Sequence, residues 1–196
     1  MLTAFFMRSS LCKAGEKKDH MNIVLIGYRC SGKSTVGKII AKKLKRDFLD
    51  TDVMIEEEAG SSIEEIISID GWEHFREVEK CIIKTVSGSS NLVLATGGGI
   101  VMDVDNVKNL KKGGFIVWLR GDIDVLRARM EKDHRSGNKR PSLTGEDPVK
   151  EIRKVLDIRD PLYSQAGDFV VDTSCLSLQE VADSIINEVQ RIGIGA

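Results

Sequence analysis

The chain has 196 residues, with 29 Lys and Arg against 30 Asp and Glu, for a formal net charge of -1. That length suits one domain with a core that needs no disulfide or metal to hold it. Near-neutral charge argues against a nucleic-acid or anionic-membrane binder, and no apolar run approaches the ~20 residues of a membrane span. The four cysteines (Cys12, Cys30, Cys81 and Cys175) form no C-x-x-C pair, and His20, His74 and His134 fall in no ligand spacing. A zinc ribbon or disulfide framework is thereby excluded, and a reducing, cytoplasmic setting is expected.

Met1–His20 reads as a frayed tail, since its apolar stretch is too short for a secretory signal. Residues 21–196 read as one domain. Asn22–Ile26 is a continuous apolar run suited to a strand buried on both faces. Lys33–Leu44 has helical spacing. Phe48-Leu49 begins a second strand ending in Asp50-Thr51-Asp52. Val53–Ala59 and Ser62–Ile69 read as helices, the latter with a Ser62/Glu65 capping box. Asp70 is placed to cap a longer helix over Trp72–Val86.

Asn91–Ala95 is the third strand, running into Gly97-Gly98-Gly99. A helix over Val104–Leu110, a strand over Phe115–Leu119 and a helix over Ile123–Lys132 follow. Asp133–Asp147 reads as a polar loop, Pro148–Ser164 as largely helical and Phe169–Val171 as a last strand. Ser177 with Glu180 caps a final helix with Leu178, Val181, Ile185, Val189 and Ile192 on one stripe. Five strands alternating with helices predict an α/β fold with a mostly parallel sheet.

Gly27-Tyr-Arg-Cys-Ser-Gly-Lys33-Ser34 matches G-x-x-x-x-G-K-[ST] at every specified position, between a buried strand and an amphipathic helix. Backbone N–H groups of such a loop form an anion nest, and the helix N-terminus adds its positive dipole end. Lys33 can reach the β- and γ-phosphates of a nucleotide, and Ser34 can ligate Mg²⁺. A guanine reader is lacking, because Asn138-Lys139-Arg140 is followed by Pro141 where Asp is needed. A small-molecule kinase is the leading class.

Asp50 and Asp52 sit at a strand end, where ligands bind in open α/β sheets. They could serve a metal and an acceptor hydroxyl, or cap the next helix. Three consecutive glycines at the end of strand three allow a ligand close to bare backbone. Arg76, Arg140 and Arg159 are the candidate cations. Arg140 lies in the long polar loop, and loops of about fifteen residues without periodicity often act as lids.

These motifs, with Phe75-Arg-Glu-Val-Glu79, Leu94–Gly99, Arg140-Pro141 and Arg159-Asp-Pro-Leu-Tyr163, give a chain that resembles the shikimate kinase family from about Asn22 to Ile192. The resemblance implies a P-loop NTPase core of three layers, with a five-stranded parallel sheet in the order 2-3-1-4-5, flanking helices and a lid loop. It implies ATP-dependent phosphorylation of the 3-hydroxyl of shikimate, with Mg²⁺. A monomer without nucleic-acid or membrane partners is expected. Cys30, Ser31, Gly32, Lys33, Ser34 and Thr35 would bind ATP, with Arg129 on the adenine side and Arg140 as the lid arginine. Lys33, Asp52 and Arg140 would act in catalysis, Asp52 as the candidate base. Asp52, Arg76, Gly97, Gly98, Gly99 and Arg159 would hold shikimate, the two arginines on its carboxylate. Ser34 and Asp50 would serve the metal. Cys30 stands where many members have Gly. The alternatives are a gluconate-type sugar-acid kinase and a nucleotide-binding module without turnover.

Overall fold

The computed structural model describes residues 21–135 and 151–194. The expected tail, Met1–His20, lies outside the described residues. Five strands form one parallel sheet in the order β2-β3-β1-β4-β5, the order implied by the family resemblance. β1 (Asn22–Ile26) is buried along its whole length and pairs with β3 (Leu92–Ala95) on one side and β4 (Gly114–Arg120) on the other. β2 (Asp47–Asp50) and β5 (Phe169–Asp172) form the two edges.

The pleat divides the core. Ile23 and Leu25 face a layer that includes α1 (Lys33–Leu44) and α7 (Leu178–Arg191), packing with Val36, Ile40, Val181 and Ile185. Val24 and Ile26 face the opposite layer, packing with Ile83, Val86 and Tyr163. That layer contains α3 (Ile63–Val86), α4 (Val104–Gly113) and α6 (Ile152–Ala166). Both faces of the central strand are covered, so its sequence shows an unbroken apolar run.

The differences from the sequence expectation are local and have physical causes. β2 ends at Asp50, whose side chain caps α2 (Thr51–Ala59) by accepting from the Asp52 N–H at 3.1 Å. Asp52 therefore lies in the first turn of a helix, not on a strand. Ser62 forms its capping box, but the two helices expected beyond it are recorded as one, kinked at Gly71 (φ 84°, ψ 173°). That left-handed φ is one glycine adopts at little cost. Asn91, also left-handed at φ 64°, precedes β3 instead of opening it. A short 3₁₀ turn at Ile100–Met102, unforeseen from the sequence, follows the glycines.

α5 (Ile123–Arg135) runs past the expected Lys132 boundary into the segment read as loop. The remainder of that segment, with Arg140 and Pro141, lies outside the described residues. α6 passes through Pro161 and ends at Ala166. Leu178, expected on the buried stripe of α7, is instead 46% exposed. Its side chain borders Gly32, where an added Cβ would stand 3.3 Å from Leu178 Cδ2. Among the described residues, no helix is long and apolar enough to cross a membrane.

Candidate active site

Every candidate motif within the described residues lies at or beyond the carboxyl ends of the strands, where open α/β sheets bind ligands. The loop after β1 turns into α1 at Gly32, which has a left-handed φ of 94° and gives the helix no side-chain cap. The first-turn N–H groups are thus not claimed by a capping side chain and are suited to an anion. Lys33 is 8% exposed. Its ammonium donates to the carbonyl oxygens of Gly27 at 2.9 Å and Tyr28 at 2.8 Å, so its charge is held over the loop. Cys30 keeps a left-handed φ of 60° although it is not glycine.

Ser34 opens α1 and donates its hydroxyl to Asp50 Oδ2 at 2.5 Å. Asp50 thus caps α2, one of the roles considered for it, and also accepts from Ser34. A hydroxyl and a carboxylate beside a phosphate loop are hard oxygen donors. They fit Mg²⁺, which takes one or two protein ligands and completes its shell with phosphate and water.

A cavity of about 270 Å³ opens beside this loop. Its wall includes Asp50, Asp52, Arg76, Gly97, Gly98, Gly99 and Arg159. All the acceptor-side residues expected from the sequence are therefore brought together. The glycines are there because neighbours come close. A Cβ on Gly97 would stand 2.7 Å from Asp52 Oδ1, and one on Gly99 would meet the Arg76 guanidinium, with Nη1 at 2.9 Å. The Gly97 N–H donates to Thr51 Oγ1 at 3.2 Å, which ties the turn to the start of α2.

The two arginines are held from different sides. Arg76, on α3, donates to Glu79 Oε2 at 2.6 Å and lies 5.0 Å from the Phe75 ring centroid and 5.6 Å from that of Trp72. Arg159, on α6, is 7% exposed and donates to the Gly98 carbonyl at 2.9 Å. The Tyr163 hydroxyl, one helical turn further on, donates to the same oxygen. Burial pushes that hydroxyl's pKa well up, so it remains a donor across the working pH range.

Glu79 and Tyr163 belong to the site although their motifs alone give them no role. Their signal was helical spacing: Glu79 stands three residues from Arg76, and Tyr163 four from Arg159. Glu79 is 1% exposed, and its Oε1 has no hydrogen-bond partner among the described residues. Burial pushes its carboxyl above the ordinary 4.5, against the opposing pull of Arg76. A carboxyl with a raised folded-state pKa favours the folded state most below the ordinary value and loses that contribution as pH rises through the raised one. The stability advantage of wild type over Glu79→Gln is thus expected to shrink from pH 4 toward neutrality. Urea denaturation across that range measures it, and an advantage that grew with pH would rule the assignment out.

On the other side of β1, Arg129 donates to Thr173 Oγ1 at 3.0 Å and to the Thr173 carbonyl at 2.6 Å. It does not line the cavity. It lies against the segment beyond β5. Arg140 lies outside the described residues.

The family model described as shikimate kinase matches residues 29–190. The shikimate kinase of Thermodesulfovibrio yellowstonii is 43% identical over 174 residues, covering 89% of this chain and 98% of its own. That of Syntrophus aciditrophicus is 39% identical, covering 89% and 93%. A solved structure of shikimate kinase from Acinetobacter baumannii in complex with shikimate superposes with a TM-score of 0.82 at 33% identity, covering 90% of this chain and 96% of that one. A gluconokinase from Sinorhizobium meliloti reaches a TM-score of 0.57 at 19% identity, covering 89% and 94%, and shares the fold alone. A family model that spans most of the chain and relatives at 39–43% identity, covered almost end to end, show that the chain belongs to the shikimate kinase family.

Proposed function

We propose that the chain transfers the γ-phosphoryl group of ATP to the 3-hydroxyl of shikimate, giving shikimate 3-phosphate and ADP on the route to chorismate and the aromatic amino acids. The observation that carries this reading is the cavity itself. Arg76 and Arg159, with the Asp52 carboxylate and the Gly97–Gly99 backbone turn, are on the wall of a cavity of about 270 Å³ beside the phosphate loop. A compact polyol bearing one carboxylate matches that set, because guanidinium grips carboxylate through a planar fork.

The cleft orders the reaction. The phosphate loop, with Cys30, Ser31, Gly32 and Thr35, wraps the triphosphate. Lys33 offsets charge on the β- and γ-phosphates. Arg76 and Arg159 hold the shikimate carboxylate, which fixes the ring. Gly97, Gly98 and Gly99 let the ring lie against backbone. The 3-hydroxyl then faces Asp52, which accepts its proton as the oxygen bonds to phosphorus. The bond from phosphorus to the β–γ bridging oxygen breaks, and ADP leaves with that electron pair. Ser34 and Asp50 would hold Mg²⁺, which would supply neutralisation of phosphate charge. By the family pattern, Arg129 would serve the adenine side of the nucleotide and Arg140 would act as the lid arginine.

A coupled ADP-release assay across shikimate, gluconate and nucleoside monophosphates tests the acceptor. Turnover is expected with shikimate alone. Faster turnover with gluconate, or none with any acceptor despite ATP binding, would favour the alternatives. Arg76→Lys is expected to raise KM for shikimate about 10–100-fold, the loss of one charge-assisted bond with its fork. KM for ATP should move less than about twofold. Unchanged shikimate kinetics would remove Arg76 from the site.

A further inference from the structure

The acceptor cavity has a third guanidinium that the carboxylate clamp does not use. Among the described residues, Arg29 is the one member of the loop Gly27–Ser34 on the cavity wall. It is 8% exposed. Its backbone nitrogen is 3.3 Å from where a Cβ on Gly98 would stand, so it marks the seam between the phosphate loop and the glycine turn. Its Nη2 lies 3.6 Å from Glu151 Oε1, whose side chain is 0% exposed. Glu151 directly precedes α6 and forms no side-chain cap there. A carboxylate so deeply buried needs a counter-charge. Arg29 supplies it, and the pairing fixes the direction of a guanidinium that stays charged.

The position of Arg29 distinguishes it from Arg76 and Arg159. It belongs to the strip of chain that would hold the triphosphate, yet borders the space that would hold the acceptor. On the acceptor reading above, on which this inference rests, the phosphoryl group crosses at that seam and remains there as an ester on the product. A phosphate dianion gains charge-assisted hydrogen bonds from guanidinium, whereas the hydroxyl it replaces carries no charge.

We propose that Arg29 binds the transferred phosphoryl group on the acceptor side, with Glu151 as the residue that positions it. Arg29 therefore separates shikimate 3-phosphate from shikimate and adds little to the grip on the unphosphorylated ring.

Removing Arg29 alone would take a cation from beside the buried Glu151, and loss of stability would then obscure the ligand effect. The decisive variant is therefore the double change Arg29→Met with Glu151→Gln. Arg29→Lys, which keeps the charge and loses the fork, serves as a second reporter if the double variant does not fold. Calorimetric titration of wild type and variants with shikimate and with shikimate 3-phosphate, each alone, gives the split. The double variant should lose about 10–100-fold in affinity for shikimate 3-phosphate and less than about threefold for shikimate. Arg29→Lys should show the same split at smaller size. A merely structural role would lower the thermal midpoint and weaken both ligands alike, and that result overturns the proposal, as does unchanged product affinity. Failure of the acceptor reading looks different: wild type would then bind neither compound.

Discussion

Lys33→Met is expected to lower kcat by about 10³-fold or more, the scale for removing an electrostatic group from a phosphoryl-transfer site. The side chain is nearly isosteric, so the loop keeps its N–H groups and its shape. What is lost is one positive charge, held 2.9 Å and 2.8 Å from the carbonyls of Gly27 and Tyr28. Those two acceptors lose a donor, which should cost about 1–3 kcal/mol of stability. Rapid-quench measurement of the transfer step, with urea denaturation as a control, separates the effects. A kcat within tenfold of wild type in a folded variant would show that Lys33 does not act on the phosphates.

Asp52→Asn is expected to lower kcat by about 10²–10⁴-fold, the usual contribution of a positioned general base. Asparagine keeps the volume beside Gly97, where space is short, but cannot take the proton from the acceptor. KM for shikimate should rise far less than kcat falls, since the carboxylate clamp is untouched. Removing an acid from the first turn of α2 costs about 0.3–1 kcal/mol through the helix dipole. An Asn variant that retained most of its kcat would transfer the role of base to another group.

Much of this architecture is visible in the residue pattern, for reasons that differ by element. β1 announces itself because both its faces are covered, so Asn22–Ile26 shows no polar alternation. The phosphate loop is legible because backbone wrapping around phosphate demands a fixed glycine and lysine spacing. The boundary at Asp50 is less legible, since one carboxylate ends a strand, caps a helix and accepts from Ser34 at once. Glu79 shows the limit most clearly. Its spacing from Arg76 places the two on one helical face, but its burial depends on how α3 is rotated by packing of Phe75, Ile82 and Ile83. Arg29 was hidden for the same reason: a loop arginine is ordinarily solvated, and its buried partner Glu151 comes from a distant part of the chain.

A ternary crystal structure with shikimate and a non-hydrolysable ATP analogue addresses the arrangement on which everything here depends. The shikimate carboxylate should lie within hydrogen-bonding distance of both Arg76 and Arg159. Its 3-hydroxyl should stand about 3–3.5 Å from the γ-phosphorus position, in line for attack, with Asp52 beside it. Shikimate bound with its carboxylate turned away from both guanidiniums, or with the 3-hydroxyl remote from the phosphate chain, would contradict the account.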